Sequence, residues 1–150
     1  MSNIDQKKFI ELFKSINSYD KFNGLTFDIH SPGDITYHMT ISEQHLSSPN
    51  TAHGASLAGF MDCVLGLSAL SLAVTLDQLV STVEFKVNFV RPVKLGENIT
   101  GNGKVTHQGK SLIISSAEIR NEEGDLVATG LGTFNLYPFN KKDFLNDLSQ

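Results

Sequence analysis

The stretch that decides the fold reads Asn50-Thr51-Ala52-His53-Gly54-Ala55-Ser56-Leu57-Ala58-Gly59-Phe60-Met61-Asp62-Cys63-Val64-Leu65-Gly66-Leu67-Ser68-Ala69-Leu70. Over residues 55–76, Asp62 is the one charged residue among apolar and small side chains. A segment that is apolar on every side is typical of a helix surrounded by protein. We therefore predict a buried central helix that begins near Gly54 and ends between Leu70 and Asp77.

Asp62 requires an explanation because of its surroundings. Desolvating an unpaired carboxylate costs several kcal/mol, unless the group takes up a proton. A functional explanation is a general base or a nucleophile at the edge of a dry pocket. A structural explanation is a carboxylate that accepts hydrogen bonds across a dimer interface. The residues alone leave both open.

The spacing of Gly54 and Asp62 bears on the assembly. A helix that begins near Gly54 has free N–H groups at the positive end of its dipole, where a developing oxyanion is stabilised. Asp62 lies about 12 Å further along the axis, at ~1.5 Å per residue. Because a reacting carbonyl must lie roughly 3 Å from both groups, one helix cannot supply both. The spacing therefore predicts a two-fold dimer in which Gly54 of one chain faces Asp62 of the other.

A second motif follows the helix, in a strand that ends in Phe89-Val90-Arg91-Pro92-Val93-Lys94-Leu95-Gly96-Glu97. Together with His53-Gly54 and Asp62, it resembles the hotdog-fold acyl-CoA thioesterases of the phenylacetate-degradation (PaaI-like) type, over roughly residues 25–137. The resemblance implies an α+β fold in which an antiparallel sheet of five or six strands wraps a long central helix. It also implies that Asp62 is the base or nucleophile, and that the Gly54 N–H polarises the thioester carbonyl.

Further site residues follow from the same resemblance. His53 either orients the thioester or fixes the entry of the helix. Thr82 matches a Ser or Thr that approaches the catalytic carboxylate in relatives, although a threonine is also common in strands for structural reasons. The turn with Lys110 and Ser111 resembles one near the nucleotide end of CoA in relatives. Other basic candidates for the CoA phosphates are Arg91, Lys94 and Lys104.

The chain departs from the family pattern in two places. The usual Gly-Gly after the histidine is Gly54-Ala55 here, and Ser47 stands six residues before the histidine, where Asn is frequent. The nearest Asn is Asn50, so both Ser47 and Asn50 are candidate substrate contacts. These departures motivate an alternative function: a non-catalytic acyl-CoA or fatty-acyl binding protein with the hotdog fold. A hotdog dehydratase is a weaker third hypothesis, because its motif is not found.

The rest of the chain is expected to belong to the same single domain, residues 1–150. We predict an N-terminal helix within residues 1–20 with a Ser2–Asp5 capping box, and a C-terminal extension over residues 138–150 with a short helix from residue 141. Two strands around residues 25–41 flank Pro32-Gly33, which is the sequence of a type II turn. In the strand after the helix, period two predicts one face with Val83, Phe85, Val87 and Phe89, and another with Thr82, Glu84, Lys86 and Asn88.

Composition limits the function. The 150 residues are 40% hydrophobic and 19% charged, with a net charge of −4, so we expect no nucleic-acid partner. Residues 55–76 are long enough to span a membrane, but Asp62 in the interior and the lack of flanking Lys or Arg clusters argue against it.

The sequence also limits the expected cofactors and the expected location of the protein. The histidines and the single cysteine lack metal-ligand spacing, so no metal or redox cofactor is expected, and CoA enters as part of the substrate. No phosphate loop or GxSxG motif is present. One cysteine and no signal peptide favour the cytoplasm. The expected partners are an acyl-CoA and further copies of the chain, in a homodimer or a homotetramer built as a dimer of dimers.

Overall fold

The computed structural model describes residues 5–140. Ser2 of the expected capping box and the helix expected from residue 141, within the extension 138–150, lie outside these residues. The helix expected within residues 1–20 is α1 (Gln6–Ile16), and a second, unpredicted short helix, α2 (Ser18–Asn23), follows it. Asn17 separates them because its backbone is extended, and its side chain caps α2 by accepting from the Asp20 N–H at 3.0 Å.

The first strands form the predicted hairpin. β1 (Thr26–Ser31) and β2 (Asp34–Thr40) pair antiparallel, and Gly33 has the positive φ of 86° that the third residue of a type II turn requires. The segment between β2 and the central helix contains short ordered pieces. These are a 3₁₀ turn (Glu43–His45) and a small two-stranded sheet, β3 (Leu46–Ser48) with β4 (Thr51–Ala52).

The predicted central helix is α3 (Gly54–Ala73), which continues into a 3₁₀ turn at Val74–Leu76. Buried residues occur on every turn of α3, from Leu57 to Ala73. By length and composition alone, Gly54–Leu76 could cross a membrane, with a mean hydropathy of 1.9. However, 67% of its most apolar window is buried inside the protein, as in any helix that forms a core.

The sheet surrounds this helix. It has six antiparallel strands in the order β1-β2-β6-β7-β8-β5, and α3 packs against five of them. The architecture is thus the α+β arrangement expected from the sequence, with the core between helix and sheet. The strands after α3 are β5 (Gln78–Phe89), β6 (Asn98–Gln108), β7 (Leu112–Asn121) and β8 (Leu126–Pro138).

The predicted alternation of faces in β5 is wrong at its first residues. The pairing with β8 skips Val83, because Thr82 pairs with Phe134 and Glu84 with Thr133. Such a β-bulge inserts one unpaired residue and exchanges the faces on either side of it. Val83 therefore remains 58% exposed, and Thr82 faces α3 instead of sharing the outer face with Glu84.

Candidate active site

The N-terminus of α3 leaves one amide without an acceptor. His53 is the N-cap, and its Nδ1 accepts from the Ala55 N–H at 2.8 Å. Its carbonyl accepts from the N–H groups of Ser56 and Leu57, at 3.0 and 3.2 Å. Among residues 5–140 the Gly54 N–H has no acceptor. Since Nδ1 of His53 is an acceptor, the neutral ring carries its proton on Nε2.

A second histidine supports this end of the helix. His45 is buried; its Nδ1 accepts from the Ser42 N–H and its Nε2 donates to Asn23 Oδ1, each at 3.0 Å. Its carbonyl accepts from the His53 N–H at 2.7 Å and from Ser56 Oγ at 3.1 Å. Burial lowers the pKa of His45, which keeps the ring neutral in this network. His45 thus connects the end of α2 to the start of α3.

Asp62 projects from α3 toward β5. It is half-buried, and its Oδ1 accepts a hydrogen bond from Thr82 Oγ1 at 3.0 Å. The bulge at Val83 makes this contact possible, because it turns Thr82 toward the helix. The approach of Thr82 to the carboxylate is therefore present, as the resemblance implies. The bond fixes one carboxylate oxygen and leaves the other available.

An apolar cavity of about 180 Å³ lies beside Asp62. It follows α3 toward Leu70, with Val80 and Thr82 of β5 on one side and Phe13 and Asn17 of the N-terminal helices above it. A carboxylate at the edge of an apolar space can act on a polar bond whose apolar substituent fills that space. The remaining lining residues are Tyr37, Cys63, Gly66, Leu67 and Phe134.

A buried polar pair lies under the N-terminal helices. Asp20 Oδ2 accepts from the Tyr37 hydroxyl at 2.5 Å, and Oδ1 has no partner in the part of the chain that the structure describes. Burial raises the pKa of Asp20, opposed by hydrogen bonds from Tyr37 and Asn17. Burial, with the charges of Asp20 and Asp62, raises the pKa of Cys63 to about 12. Cys63 is therefore a thiol at neutral pH and not a nucleophile.

Gly54 and Asp62 both lie along β5 but do not meet within one chain. A methyl group at Gly54 would lie 3.5 Å from the ring of Phe89, near the end of β5, whereas Asp62 contacts Thr82. Their positions on α3 are about 12 Å apart along the axis, at ~1.5 Å per residue. One protomer therefore presents the donor and the carboxylate separately.

The other predicted substrate contacts do not line the cavity beside Asp62. Ser47 and Asn50 belong to the segment that leads into α3, where Ser47 Oγ donates to the Thr51 carbonyl at 3.5 Å. Lys110 and Ser111 are exposed in the β6–β7 turn. Residues 5–140 contain no group of three His, Cys, Asp or Glu side chains that could hold a metal ion.

Residues 49–128 match the family model described as the thioesterase superfamily. The chain belongs to this superfamily. A human relative named acyl-coenzyme A thioesterase 13 is 27% identical over 133 residues, which cover 87% of this chain and 93% of that protein. The Escherichia coli relative named acyl-coenzyme A thioesterase PaaI is 30% identical over 97 residues, or 60% of this chain and 61% of that one.

Solved structures of other proteins show the same fold as this chain. The structure of E. coli PaaI has a TM-score of 0.79 at 22% identity, and the match covers 87% of this chain and 91% of that one. A hypothetical thioesterase from Streptococcus pneumoniae, crystallised with coenzyme A, has a TM-score of 0.72 at 22% identity, with 80% and 94% covered. The predicted hotdog fold is thus confirmed.

The superfamily match includes Gly54, Asp62 and Thr82, but not the segment before residue 49. Phe13 and Asn17 above the cavity and the buried His45 come from that segment. For the segments that supply these residues, the sequence predicted only an N-terminal helix. No motif indicates these contacts, although an apolar residue such as Phe13 at helical spacing does indicate packing on the body.

We expect acid to destabilise this protein through His45. Its folded pKa lies below the ordinary value of 6.5, so the unfolded chain takes up the proton first as the pH falls. The free energy of unfolding should therefore be fully retained above about pH 6.5 and decrease below it. The total decrease should be ~1.4 kcal/mol for each unit by which folding lowers the pKa of His45. Denaturant unfolding between pH 5 and 8 measures this. His45→Gln should remove the decrease, whereas the same change at the exposed His107 should leave it.

Proposed function

We propose that this protein hydrolyses an acyl-CoA thioester to the free acid and CoA. The observation that carries the proposal is that one helix, within the segment that matches the superfamily, carries two reactive groups. These are the Gly54 N–H, which has no acceptor among residues 5–140, and Asp62, which accepts a hydrogen bond from Thr82. Support also comes from the relatives named acyl-coenzyme A thioesterases and from the related structure crystallised with coenzyme A.

In the proposed reaction the Gly54 N–H donates to the thioester oxygen, where negative charge develops. Asp62 removes a proton from water while the water oxygen bonds to the carbonyl carbon; the C–S bond then breaks and the thiolate takes a proton. Direct attack by Asp62, with later hydrolysis of the anhydride, uses the same two groups. Thr82 holds Oδ1 of Asp62 and so orients the other oxygen.

The peripheral residues receive binding roles in this proposal. His53 uses Nδ1 to cap α3, which leaves its Nε2–H free to contact the substrate. Ser47 and Asn50 lie in the same segment before α3 and supply polar groups near the thioester. Lys110 and Ser111 contact the CoA phosphates, for which an exposed ammonium and hydroxyl in a turn are suited.

The complete site in this proposal requires a second protomer. β5 is an edge strand with a row of unpaired backbone groups. Exposed apolar side chains lie along it at Val83 (58%) and Phe89 (51%), and at Val90 (59%) just after it. A two-fold axis near Lys86, which lies about midway between Thr82 and Phe89, brings the Phe89 end of one strand beside Thr82 of the other. Gly54 of one chain then approaches Asp62 of its partner. A dimer of dimers satisfies the same condition.

Asp62→Asn should lower the rate of thiol release from acyl-CoA substrates by at least about 10²-fold, because it removes the base or nucleophile. The melting temperature and the binding of CoA should stay close to wild type. Near-wild-type turnover in this variant would refute the role of Asp62. Saturable CoA binding by the wild type, without thiol release from any acyl-CoA, would instead support the non-catalytic binding protein.

The Gly54 donor can be removed without removing the helix. Gly54 is the first residue of α3, where proline is tolerated, and His53 before it already has the extended φ of −69° and ψ of 139° that proline requires. Gly54→Pro should therefore fold and lower kcat by about 10²–10³-fold, as the loss of an oxyanion donor does elsewhere. Gly54→Ala keeps the N–H and should remain within severalfold of wild type. Equal activities of the two variants would exclude this role.

Mixed dimers test whether the site is shared. Equal amounts of Asp62→Asn and Gly54→Pro chains, unfolded and refolded together, should regain about a quarter of wild-type activity, since half of the dimers carry one complete site of two. The control pairs Asp62→Asn with the double variant Asp62→Asn/Gly54→Pro, which contains no complete site. Activity no higher than that of the separate variants would show that the two groups act within one chain.

A further inference from the structure

Tyr19 of α2 lies across the helix face that carries Asp62. A methyl group at Gly59 would overlap the Tyr19 hydroxyl, so the hydroxyl rests directly on α3 where a side chain is missing. Asp62 and Cys63 lie three and four residues after Gly59, so each of them neighbours Gly59 on the surface of the helix. The Tyr19 hydroxyl is therefore about one helical turn from the Asp62 carboxylate.

This hydroxyl has no assigned task inside the protein. Tyr19 is 46% exposed, and among residues 5–140 its hydroxyl has no hydrogen-bond partner, whereas the Tyr37 hydroxyl donates to Asp20. Burial first, and then electrostatic interactions with Cys63, Asp62 and Asp20, raise the pKa of Tyr19. The phenol is thus a free hydrogen-bond donor at neutral pH, close to a carboxylate.

We propose that Tyr19 is a further catalytic residue, whose hydroxyl donates a hydrogen bond to the water that Asp62 deprotonates; this inference rests on the proposed function. Cβ positions three residues apart on a helix are about 5–6 Å apart, and the Tyr19 hydroxyl occupies the Cβ position that Gly59 lacks, so it lies at about this distance from the Cβ of Asp62. One water can bridge two oxygens at that separation with bonds of about 2.8 Å. The site would then hold the water between a donor and a base.

In this arrangement the water has a partner for each hydrogen bond and lone pair that the reaction uses. It accepts one hydrogen bond from Tyr19 and donates one O–H to Asp62, and its second lone pair points to the carbonyl carbon. When that pair forms the C–O bond, the proton passes to Asp62 and the carbonyl electrons move onto the oxygen that the Gly54 N–H stabilises. The C–S bond then breaks, and the leaving thiolate takes the proton from Asp62. Tyr19 keeps its own proton throughout.

Tyr19→Phe tests the hydroxyl while keeping the ring on α3. We expect kcat for acyl-CoA hydrolysis to fall about tenfold, the effect of one well-placed hydrogen bond, with a change in KM below twofold. The melting temperature should not change. Tyr137→Phe, at a tyrosine of β8 that is also half-exposed, is the matched control and should leave kcat and KM unchanged.

A second variant moves the hydroxyl instead of removing it. Gly59→Ala should displace the Tyr19 hydroxyl and lower both kcat and stability. In Gly59→Ala/Tyr19→Phe most of the overlap is relieved, because the next ring atom, Cζ, lies 3.2 Å from the methyl position and a small shift of the ring accommodates it. The double variant should regain most of the melting temperature while its kcat stays at the level of Tyr19→Phe alone.

The outcomes separate this inference from the proposed function. Wild-type turnover with an unchanged kcat in Tyr19→Phe overturns the inference alone, as does a rise in KM without a fall in kcat. Additive losses of kcat in the double variant also contradict it. Absence of thiol release by the wild type, across acyl-CoA substrates from acetyl to palmitoyl, overturns the proposed function and this inference together.

Discussion

The site depends on the hydrogen bond that Thr82 donates to Asp62. The carboxylate stands on a helix that is otherwise apolar, and the threonine hydroxyl compensates part of the water it has lost. The bond exists because β5 bulges at Val83, which turns Thr82 inward. A regular strand would have placed Thr82 on the outer face with Glu84. One irregular residue in an edge strand thus gives a fold-determining helix a fixed and half-buried acid.

A few hydrogen bonds likewise fix the start of α3, where the Gly54 donor lies. Two histidines organise it: the His53 ring accepts from Ala55, and the His45 carbonyl accepts from the His53 N–H. Capping of this kind satisfies helix amides that are otherwise unpaired. Here it leaves the Gly54 amide open on a residue without a side chain. An unpaired amide in contact with water costs little, so this donor can be kept ready for a ligand oxygen.

The features that could be predicted from the sequence are those with a signal in a short stretch of the chain. Continuous apolarity with one charge marks α3 and Asp62, and Pro32-Gly33 marks the first hairpin. The bulge at Val83 was not predictable, because a strictly alternating strand carries no trace of an extra unpaired residue. The contact of Tyr19 with Gly59 and the bonds of His45 join segments distant along the chain. Helical periodicity shows which face of a segment is apolar, but it does not show what lies opposite.

The residues of α3 and β5 that are proposed to act on the thioester, and the residues that lie above the cavity, belong to different parts of the chain. Gly54, Asp62 and Thr82 lie in the segment that matches the superfamily, whereas Phe13 and Asn17 above the cavity lie before it. In the proposed enzyme the first set performs the reaction on the thioester carbon, which is the same for every acyl-CoA. The second set bounds the space that the acyl group would occupy. Changes at Phe13 and Asn17 can therefore alter which acyl group fits while Gly54, Asp62 and Thr82 keep their geometry.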